Sequence, residues 1–233
     1  MKFSYFDSYS TMSCAAAKIF DEAIEDRPAP CVILATGHSP SGLYRNLAAS
    51  GRAYDHLWVV KLDEWLGLPM DHPSTCEYFL QKEILRPLRI RPEQYLAFES
   101  QPADENQECI RISELFHEKP VIDLCILGLG KNGHLGLNEP GPWLHPDCYV
   151  IHLDETSKQH NMLKKNEAAV SKGITLGMAN ILRSKKILML VTGDGKQAAF
   201  DEIKKAKITP ELPASFLWLH PEVRVLVNRE CVK

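Results

Sequence analysis

One stretch of the chain, ILGLGKNGHLGLNEPG at residues 126–141, combines several glycines with a histidine and a glutamate. It continues an apolar run and places His134 and Glu139 five positions apart. An imidazole gains or loses a proton near neutral pH, and a carboxylate within reach orients and charges it, so the pattern predicts an acid–base pair. Two ligands at this spacing do not complete a metal site. A plain glycine-rich turn is the alternative, but the coincidence of these residue types favours chemistry.

A second acidic position is KLDEWLGLP, where Asp63 and Glu64 are adjacent at the end of another apolar run. Neighbouring side chains of an extended chain point to opposite faces, so only one of the two acids can face a given pocket. A carboxylate against an apolar wall such as Trp65 or Leu66 has its pKa raised towards the range useful for proton abstraction. On these residues alone, the simpler interpretation is one acid capping a turn and the other in solvent.

Two further glycine turns have the chemistry of an anion site. In LATGHSPSGLY, Ser39 is predicted to cap a helix that starts at Pro40, which leaves free N–H groups and the Thr36 hydroxyl for a ligand. In LMLVTGDGKQAAF, Lys196 lies at a helix start, where it is a point-charge partner for phosphate. An ordinary helix cap and a surface lysine are the alternatives. Two such strand ends in one sheet together predict a site for one phosphate monoester.

All of these residues follow predicted strands of an α/β chain. The predicted strands are CVILAT, LWVVKLD, VIDLCILGLG, YVIHLD, KKILMLVTG, SFLWLH and VRVLVN, and the predicted helices are 10–25, 40–50, 75–87, 104–117, 172–182 and 195–205. This alternation is typical of an open, mostly parallel doubly wound sheet with helices on both faces, whose ligands bind beyond the carboxyl ends of the strands. Only Pro-Glu separates the last two predicted strands, which predicts an antiparallel hairpin at one edge.

Composition limits the function classes. The 233 residues, with 45% hydrophobic content, fit one domain spanning 1–233, in which the polar, weakly periodic segment 156–171 is predicted to be a flap. A net charge of -3 and a pI near 6.3 argue against nucleic acid as a partner.

No apolar run approaches the roughly 20 residues of a membrane span, and the start lacks a signal-peptide pattern, so a cytoplasmic protein without a membrane partner is expected. The seven scattered cysteines show no C-x-x-C pair and are expected to be packing thiols.

Several motifs together carry a family resemblance over residues 31–220. LDEWLGLPMDHPSTCEYF, LGLGKNGHLGLNEPG, TGHSP and GITLGMANILRSKKILMLVTGDGKQ resemble the glucosamine-6-phosphate deaminase family, and GKNGHLGLNEPG, GITLG and PASFLWLH are most similar to its galactosamine-6-phosphate isomerase/deaminase branch. The resemblance implies a Rossmann-like fold and conversion of an aminosugar 6-phosphate to a ketose 6-phosphate and ammonia in amino sugar catabolism, with neither metal nor organic cofactor. Galactosamine 6-phosphate would give tagatose 6-phosphate; glucosamine 6-phosphate, giving fructose 6-phosphate, is the alternative.

The resemblance also implies roles for individual residues. Asp63 would be the base that moves a proton between C2 and C1 of the opened sugar, with Glu64 in a structural role. His134 would assist opening of the pyranose ring, and Glu139 would hold it. The expected catalytic residues are Asp63, Asn132, His134 and Glu139, and the expected residues for the phosphorylated aminosugar substrate are Thr36, Gly37, His38, Ser39, Gly128 and Lys196.

Two positions depart from the glucosamine-type pattern. Asn132 stands where those enzymes have aspartate, and because asparagine cannot titrate, it is predicted to help recognise a different sugar. Met162 aligns with an arginine that reaches the phosphate from the flap, and Lys158 and His160 are the candidate replacements.

Two other functions share the predicted fold. A 6-phosphogluconolactonase also cradles a sugar phosphate, but HLGLNEPG resembles the deaminase version of this turn. A sugar-phosphate-sensing module would not require Asp63, His134 and Glu139 together, so their presence favours catalysis. Family members are single chains or hexamers, and both assemblies stay open for this sequence.

Overall fold

The computed structural model describes residues 1–118, 121–153, 158, 161–164 and 169–232. The strands are β1 Lys2–Phe6, β2 Cys31–Leu34, β3 Trp58–Lys61, β4 Asp63–Trp65, β5 Tyr95–Leu96, β6 Leu124–Gly128, β7 Tyr149–His152, β8 Lys172–Thr175, β9 Lys186–Val191 and β10 Val223–Asn228. The α-helices are α1 Tyr9–Ile24, α2 His38–Ala49, α3 Cys76–Leu80, α4 Glu105–Glu118, α5 Asn161–Lys164, α6 Met178–Leu182 and α7 Gln197–Lys204. Among these described helices, none combines the length and apolar character needed to cross a membrane.

Seven strands form one sheet in the order β1-β10-β9-β6-β2-β3-β5, and all of its pairings are parallel. A second, antiparallel sheet has the order β4-β8-β7. The predicted mostly parallel α/β fold is therefore confirmed. The strand order reverses between β2 and β6, because β3 and β5 lie on one side of β2 and the later strands lie on the other. Ligands of such folds bind at this switch point, beyond the carboxyl ends of the strands.

Alternate residues of the central strands face two separate cores. In β2, Ile33 packs into one core, whereas Val32 and Leu34 pack into the other. Leu127 and Ile126 of β6 divide in the same way. Helices α4, α6 and α7 complete the first core, and α1, α2 and α3 contribute to the second. Because both faces of the sheet are covered, its central strands are continuously apolar, which is the pattern that made them recognisable in the sequence.

The predicted strand SFLWLH and its edge hairpin are wrong. Pro213–Leu219 forms a 3-10 helix, in which the Trp218 indole N–H donates to the Ile203 carbonyl at 2.8 Å. Strand β10 instead pairs in parallel with both β9 and β1. A short apolar run has no periodicity that separates a buried strand from a buried helical turn. Among the described strands, the antiparallel pairs are β4 with β8 and β7 with β8 in the small sheet.

The predicted helix 172–182 is also wrong over its first half. Lys172–Thr175 is the central strand of the small sheet, hydrogen-bonded to β4 on one side and β7 on the other, and the helix starts only at Met178. Tertiary pairing overrides local propensity at such a position. Strands β1 and β5 were not predicted, because β1 is largely exposed and β5 has only two residues.

Candidate active site

Glu64 is completely buried and its hydrogen bonds are saturated. Its Oε2 accepts from the Lys61 ammonium and from the backbone N–H of Glu77, and its Oε1 accepts from the N–H groups of Trp65 and Cys76, all four at 2.8 Å. Two of these donors lie at the start of α3, where a helix leaves its N–H groups without intrahelical partners. Glu64 therefore fixes α3 against β4.

Lys61 extends this arrangement into a buried network. Its Nζ lies 3.1 Å from Glu77 Oε2, which also accepts from the Tyr95 hydroxyl at 2.8 Å. Burial opposes the charged form of Lys61, but Glu64 and Glu77 outweigh it and the pKa of Lys61 is raised. Sequence reasoning missed this network, although a lysine inside an apolar strand three positions before a glutamate is a usable signal. The network, defined by Lys61, Glu64, Glu77 and Tyr95, is a structural support.

Asp63 points away from this support. Its side chain is buried, and within the part of the chain that the structure describes its Oδ1 has no hydrogen-bond partner. Burial and then the charge of Glu64 raise the pKa of Asp63 to about 7, and His134 and Lys61 oppose that rise. A carboxyl group with this pKa exchanges its proton near neutral pH, as a general base or acid requires.

The turn after β6 fixes His134. The Gly130 N–H donates to the His134 carbonyl at 3.0 Å, and the His134 N–H donates to Asn132 Oδ1 at 3.2 Å. The Asn132 amide donates to Glu139 Oε2 at 2.9 Å, and His134 Nδ1 lies 3.4 Å from that same oxygen. A Cβ atom at Gly130 would overlap the His134 ring, so only glycine permits this packing. The turn therefore presents the imidazole with a carboxylate and an amide behind it.

Buried contacts attach this turn to the strand that bears Asp63. The Asn138 amide donates to the carbonyls of Leu135 and Leu176, both at 2.9 Å, and the Leu137 N–H donates to Thr175 Oγ1 at 3.4 Å. Thr175 is paired with Asp63 between β8 and β4. The structure thus brings Asp63, Asn132, His134 and Glu139 together, although they come from strand ends far apart in sequence.

The turn after β2, which is predicted to bind an anion, differs in detail from its prediction. Helix α2 begins at His38, with Gly37 as its N-cap at φ +92° and no side-chain capping bond. Ser39 therefore lies inside the first turn and is not the cap. The left-handed φ of Gly37 accounts for the shift, because glycine adopts this conformation without steric strain.

Side chains from this turn reach the neighbouring strand ends. A Cβ atom at Gly128 would lie 3.3 Å from Ser39 Oγ, so the bare backbone of β6 passes directly beneath α2. Thr36 Oγ1 lies 3.3 Å from Cys76 Sγ at the start of α3. The His38 ring stacks on Tyr9 with the ring centroids 4.7 Å apart. Thr36, Ser39 and Gly128 thus border the same strand ends as Asp63.

Lys196 comes from the loop after β9, where it is the N-cap of α7. It is half-buried. Burial and then the charge of Lys131 lower the pKa of Lys196 to about 8, and Cys231 opposes that shift. A Cβ atom at Gly193 would lie 3.9 Å from the His38 ring, which places this loop beside α2.

Two further regions are a cavity beside α4 and the described part of the predicted flap. A cavity of about 430 Å³ beside α4 contains none of the predicted site residues; it is lined by Cys109, Ile110, Ser113, Glu114, His117 and Cys148. Of the predicted flap 156–171, the structure describes residues 158, 161–164 and 169–171, and His160 lies outside the described residues. The Met162 carbonyl accepts from Ser74 Oγ at 2.8 Å, and the Lys158 side chain is exposed.

Comparisons with known proteins agree with the fold and the motifs. The family model for glucosamine-6-phosphate isomerases/6-phosphogluconolactonase matches residues 9–226. The chain is 44% identical to the candidate deaminase AgaI of Escherichia coli (strain K12), covering 95% of this chain and 90% of that protein. It is 31% identical to glucosamine-6-phosphate deaminase 1 of Bacillus subtilis (strain 168), covering 99% and 98%.

Solved structures give the same result. A monomeric glucosamine-6-phosphate deaminase superimposes with a TM-score of 0.94 at 31% identity, covering 99% of this chain and 98% of that one. The 6-phosphogluconolactonase of Thermotoga maritima superimposes with a TM-score of 0.78 at 19% identity, covering 97% and 98%, which shows the shared fold alone. The family match, the sequence identities and the superposition together establish that this chain belongs to the glucosamine-6-phosphate isomerase/deaminase family.

Proposed function

We propose that this protein converts galactosamine 6-phosphate and water to tagatose 6-phosphate and ammonia. The observation that carries the proposal is the buried Asp63 carboxylate, whose Oδ1 has no partner among the described residues and whose proton affinity responds to His134. An aldose–ketose shift needs a base over C2 of an open-chain sugar, together with a group that opens the ring. Asp63 and His134 supply these two groups.

Asp63 acts as the base that moves the proton between C2 and C1. Its pKa of about 7 means that it is partly ionised at neutral pH and can both accept and return a proton. His134 moves the proton that opens the pyranose ring, with Glu139 and Asn132 holding the imidazole from behind. Each general acid–base step contributes typically 10²- to 10⁴-fold, so both are needed for a useful rate.

The 6-phosphate is held at the ends of β2 and β9. Lys196 supplies charge, and the turn from Thr36 to Ser39 supplies hydroxyls and the free N–H groups of α2. Gly128 leaves the backbone of β6 open to the sugar hydroxyls. Holding both ends of the carbon chain fixes C2 against Asp63, and such positioning can lower a barrier by roughly 7 to 11 kcal/mol.

Two observations favour galactosamine over glucosamine. The chain is 44% identical to the candidate deaminase AgaI but 31% and 33% identical to two named glucosamine-6-phosphate deaminases, from Bacillus subtilis and Thermoanaerobacter pseudethanolicus. Asn132, where the resemblance implies an aspartate in glucosamine-type enzymes, contacts Glu139 and His134 directly. The substrates differ at C4, where one contact contributes about 1 to 3 kcal/mol of discrimination.

The test is to incubate the purified protein separately with galactosamine 6-phosphate, glucosamine 6-phosphate and 6-phosphogluconolactone, while following ammonia, ketose 6-phosphate and acid release. We expect ammonia and ketose from both aminosugars, with the larger kcat/KM for galactosamine 6-phosphate. A larger kcat/KM for glucosamine 6-phosphate would replace the proposed substrate. Acid release from the lactone without ammonia from either aminosugar would overturn the deaminase proposal.

A further inference from the structure

Two lysines lie side by side at the proposed phosphate end of the site. Lys131 belongs to the turn after β6, and Lys196 caps α7 after β9. A Cβ atom at Gly195 would lie 3.3 and 3.4 Å from Cδ and Cε of Lys131, so the Lys131 chain runs along the loop that carries Lys196. Gly195 leaves that path open, and its φ of +77° is one that side-chain-bearing residues rarely adopt.

These two ammonium groups repel each other without local compensation. Within the described ranges, neither Lys131 nor Lys196 forms an ion pair or a side-chain hydrogen bond, although Lys196 is half-buried. Lys61 shows the contrast, because that buried lysine contacts two carboxylates. An uncompensated charge in a partly buried position is costly unless a ligand of opposite charge pairs with it.

Helices α2 and α7 border the two lysines, and neither helix supplies a carboxylate from its first turn. The first turns of α2 and α7 contain no Asp or Glu. The groups that surround Lys196 are Lys131 from the turn after β6, Cys231 from the C-terminal turn with Glu230 next to it, His38 of α2 beside Gly193, and the exposed Asp194 of its own loop. Within the described residues, neither Asp194 nor Glu230 forms an ion pair with Lys131 or Lys196.

We propose that Lys131 is a second phosphate-binding residue, which acts with Lys196 as a two-cation clamp selective for the dianion of the substrate's phosphate. The inference rests on the proposed function for the identity of the phosphate ester. It adds a residue from the same turn that holds His134, so that one turn contacts both ends of the opened sugar. A phosphate carries close to two charges at neutral pH, because its second pKa is about 6.

The clamp has a pH signature. Below about pH 6 the phosphate loses its second charge, and above about pH 8 Lys196 loses its proton, so KM is expected to be lowest between these limits. The charge of Lys131 is one cause of the lowered pKa of Lys196. Removing that charge should therefore move the alkaline rise in KM to higher pH, and a loss of affinity for inorganic phosphate at constant pH is the readout that reports contact between Lys131 and the anion.

The experiment compares Lys131→Gln, Lys131→Arg and Lys196→Gln in the full-length protein, with exposed Lys18→Gln as the matched control. Inorganic phosphate binding is measured by calorimetry, and KM for galactosamine 6-phosphate is measured from pH 6 to pH 9.5. We expect Lys131→Gln to weaken inorganic phosphate binding and to raise KM, each roughly tenfold or more, with little change in kcat. The alkaline rise in KM should move to higher pH. Lys131→Arg should retain most of the affinity, and Lys18→Gln should match the wild type.

Each outcome separates the two proposals. If Lys196→Gln weakens phosphate binding and Lys131→Gln does not, the two-cation clamp is wrong and the deaminase proposal stands. If phosphate binding depends on both lysines but no aminosugar is deaminated, the clamp stands and the deaminase proposal is wrong. An alkaline rise in KM that occurs at the same pH in Lys131→Gln as in the wild type also counts against the clamp.

Discussion

The two faces of strand β4 carry adjacent carboxylates in opposite situations. Glu64 is completely buried and accepts four hydrogen bonds at 2.8 Å, including one from the Lys61 ammonium. Asp63 is also buried, yet its Oδ1 has no hydrogen-bond partner among the residues that the structure describes. Two carboxylates of nearly the same burial thus differ in whether the fold provides hydrogen-bond donors for all of their oxygen atoms.

This difference separates a structural acid from a chemical one. A buried carboxylate with a full set of donors stabilises the groups that surround it, whereas an unsatisfied one is destabilising in the resting protein. Such a cost is typical of functional sites, where a group is kept ready for a ligand. Asp63 and Glu64 are therefore expected to respond in opposite ways to the same loss of charge.

The largest expected effect is on activity. Asp63→Asn removes the proposed base while preserving shape, so kcat for galactosamine 6-phosphate should fall by about 10²- to 10⁴-fold or more. Ammonia release under saturating substrate is the measurement, and phosphate affinity should stay nearly unchanged. The exposed Asp71→Asn is the matched control and should retain wild-type turnover. An Asp63→Asn enzyme as active as wild type would remove the assignment of the base.

The next effect is on stability. Glu64→Gln replaces one acceptor oxygen with an amide donor and weakens the compensation of buried Lys61, so the free energy of unfolding should fall by about 3 to 5 kcal/mol. Urea denaturation measures this change. The control is Glu93→Gln, which breaks the exposed ion pair with Arg91 and should cost no more than about 1 kcal/mol. Equal losses in the two variants would contradict the structural role of Glu64.

An effect of the opposite sign is expected for the stability of Asp63→Asn. The folded-state pKa of Asp63 is about 7, above the roughly 3.9 of an unfolded aspartate, so between these values the folded protein holds the proton more tightly. Wild-type stability should therefore fall relative to Asp63→Asn as pH rises from 4 to 7, by up to about 1.4 kcal/mol per pH unit, and the difference should level off above pH 7. Thermal or urea unfolding of both proteins across this range is the check. If the difference in unfolding free energy between the two proteins did not depend on pH, the pKa of Asp63 would not be raised in the folded protein.

The smallest expected effect concerns substrate choice. Asn132→Asp places a second carboxylate 2.9 Å from Glu139 Oε2, where the amide now donates. We expect the ratio of kcat/KM for galactosamine to glucosamine 6-phosphate to fall by about tenfold, within the range that one contact provides. Competition between the two substrates in one vessel measures the ratio directly. An unchanged ratio would assign sugar recognition to other residues.

Much of this comparison is accessible from the sequence, and the rest depends on tertiary contacts. The central strands β2, β6 and β9 were predictable because a sheet covered on both faces makes them continuously apolar. Extended geometry also showed that Asp63 and Glu64 point to opposite faces, but it did not show which acid is satisfied. That is decided by the start of α3, whose N–H groups at Cys76 and Glu77 donate to Glu64 from twelve and thirteen positions away.

Local ambiguity accounts for the errors in the predicted elements. The run SFLWLH has no periodicity that distinguishes a strand from a helix. The residues KGIT were predicted as the start of a helix, but their pairing with β4 and β7 makes them a strand. Ser39 is a good helix cap by type, but Gly37 takes the position because its backbone adopts the left-handed conformation. Lys131 follows Gly130 in the same motif as His134, and only the fold shows its closeness to Lys196.

The central claim, that Asp63 moves a proton along the carbon chain, is tested most directly by following the C2 hydrogen of the substrate. Galactosamine 6-phosphate labelled with deuterium at C2 is converted in ordinary water, and the ketose 6-phosphate is examined by NMR at C1. The account predicts slower turnover of the labelled substrate, with part of the deuterium appearing at C1 in the wild type and neither C2 loss nor C1 gain in Asp63→Asn. Transfer of the label by Asp63→Asn at the wild-type rate would contradict the account.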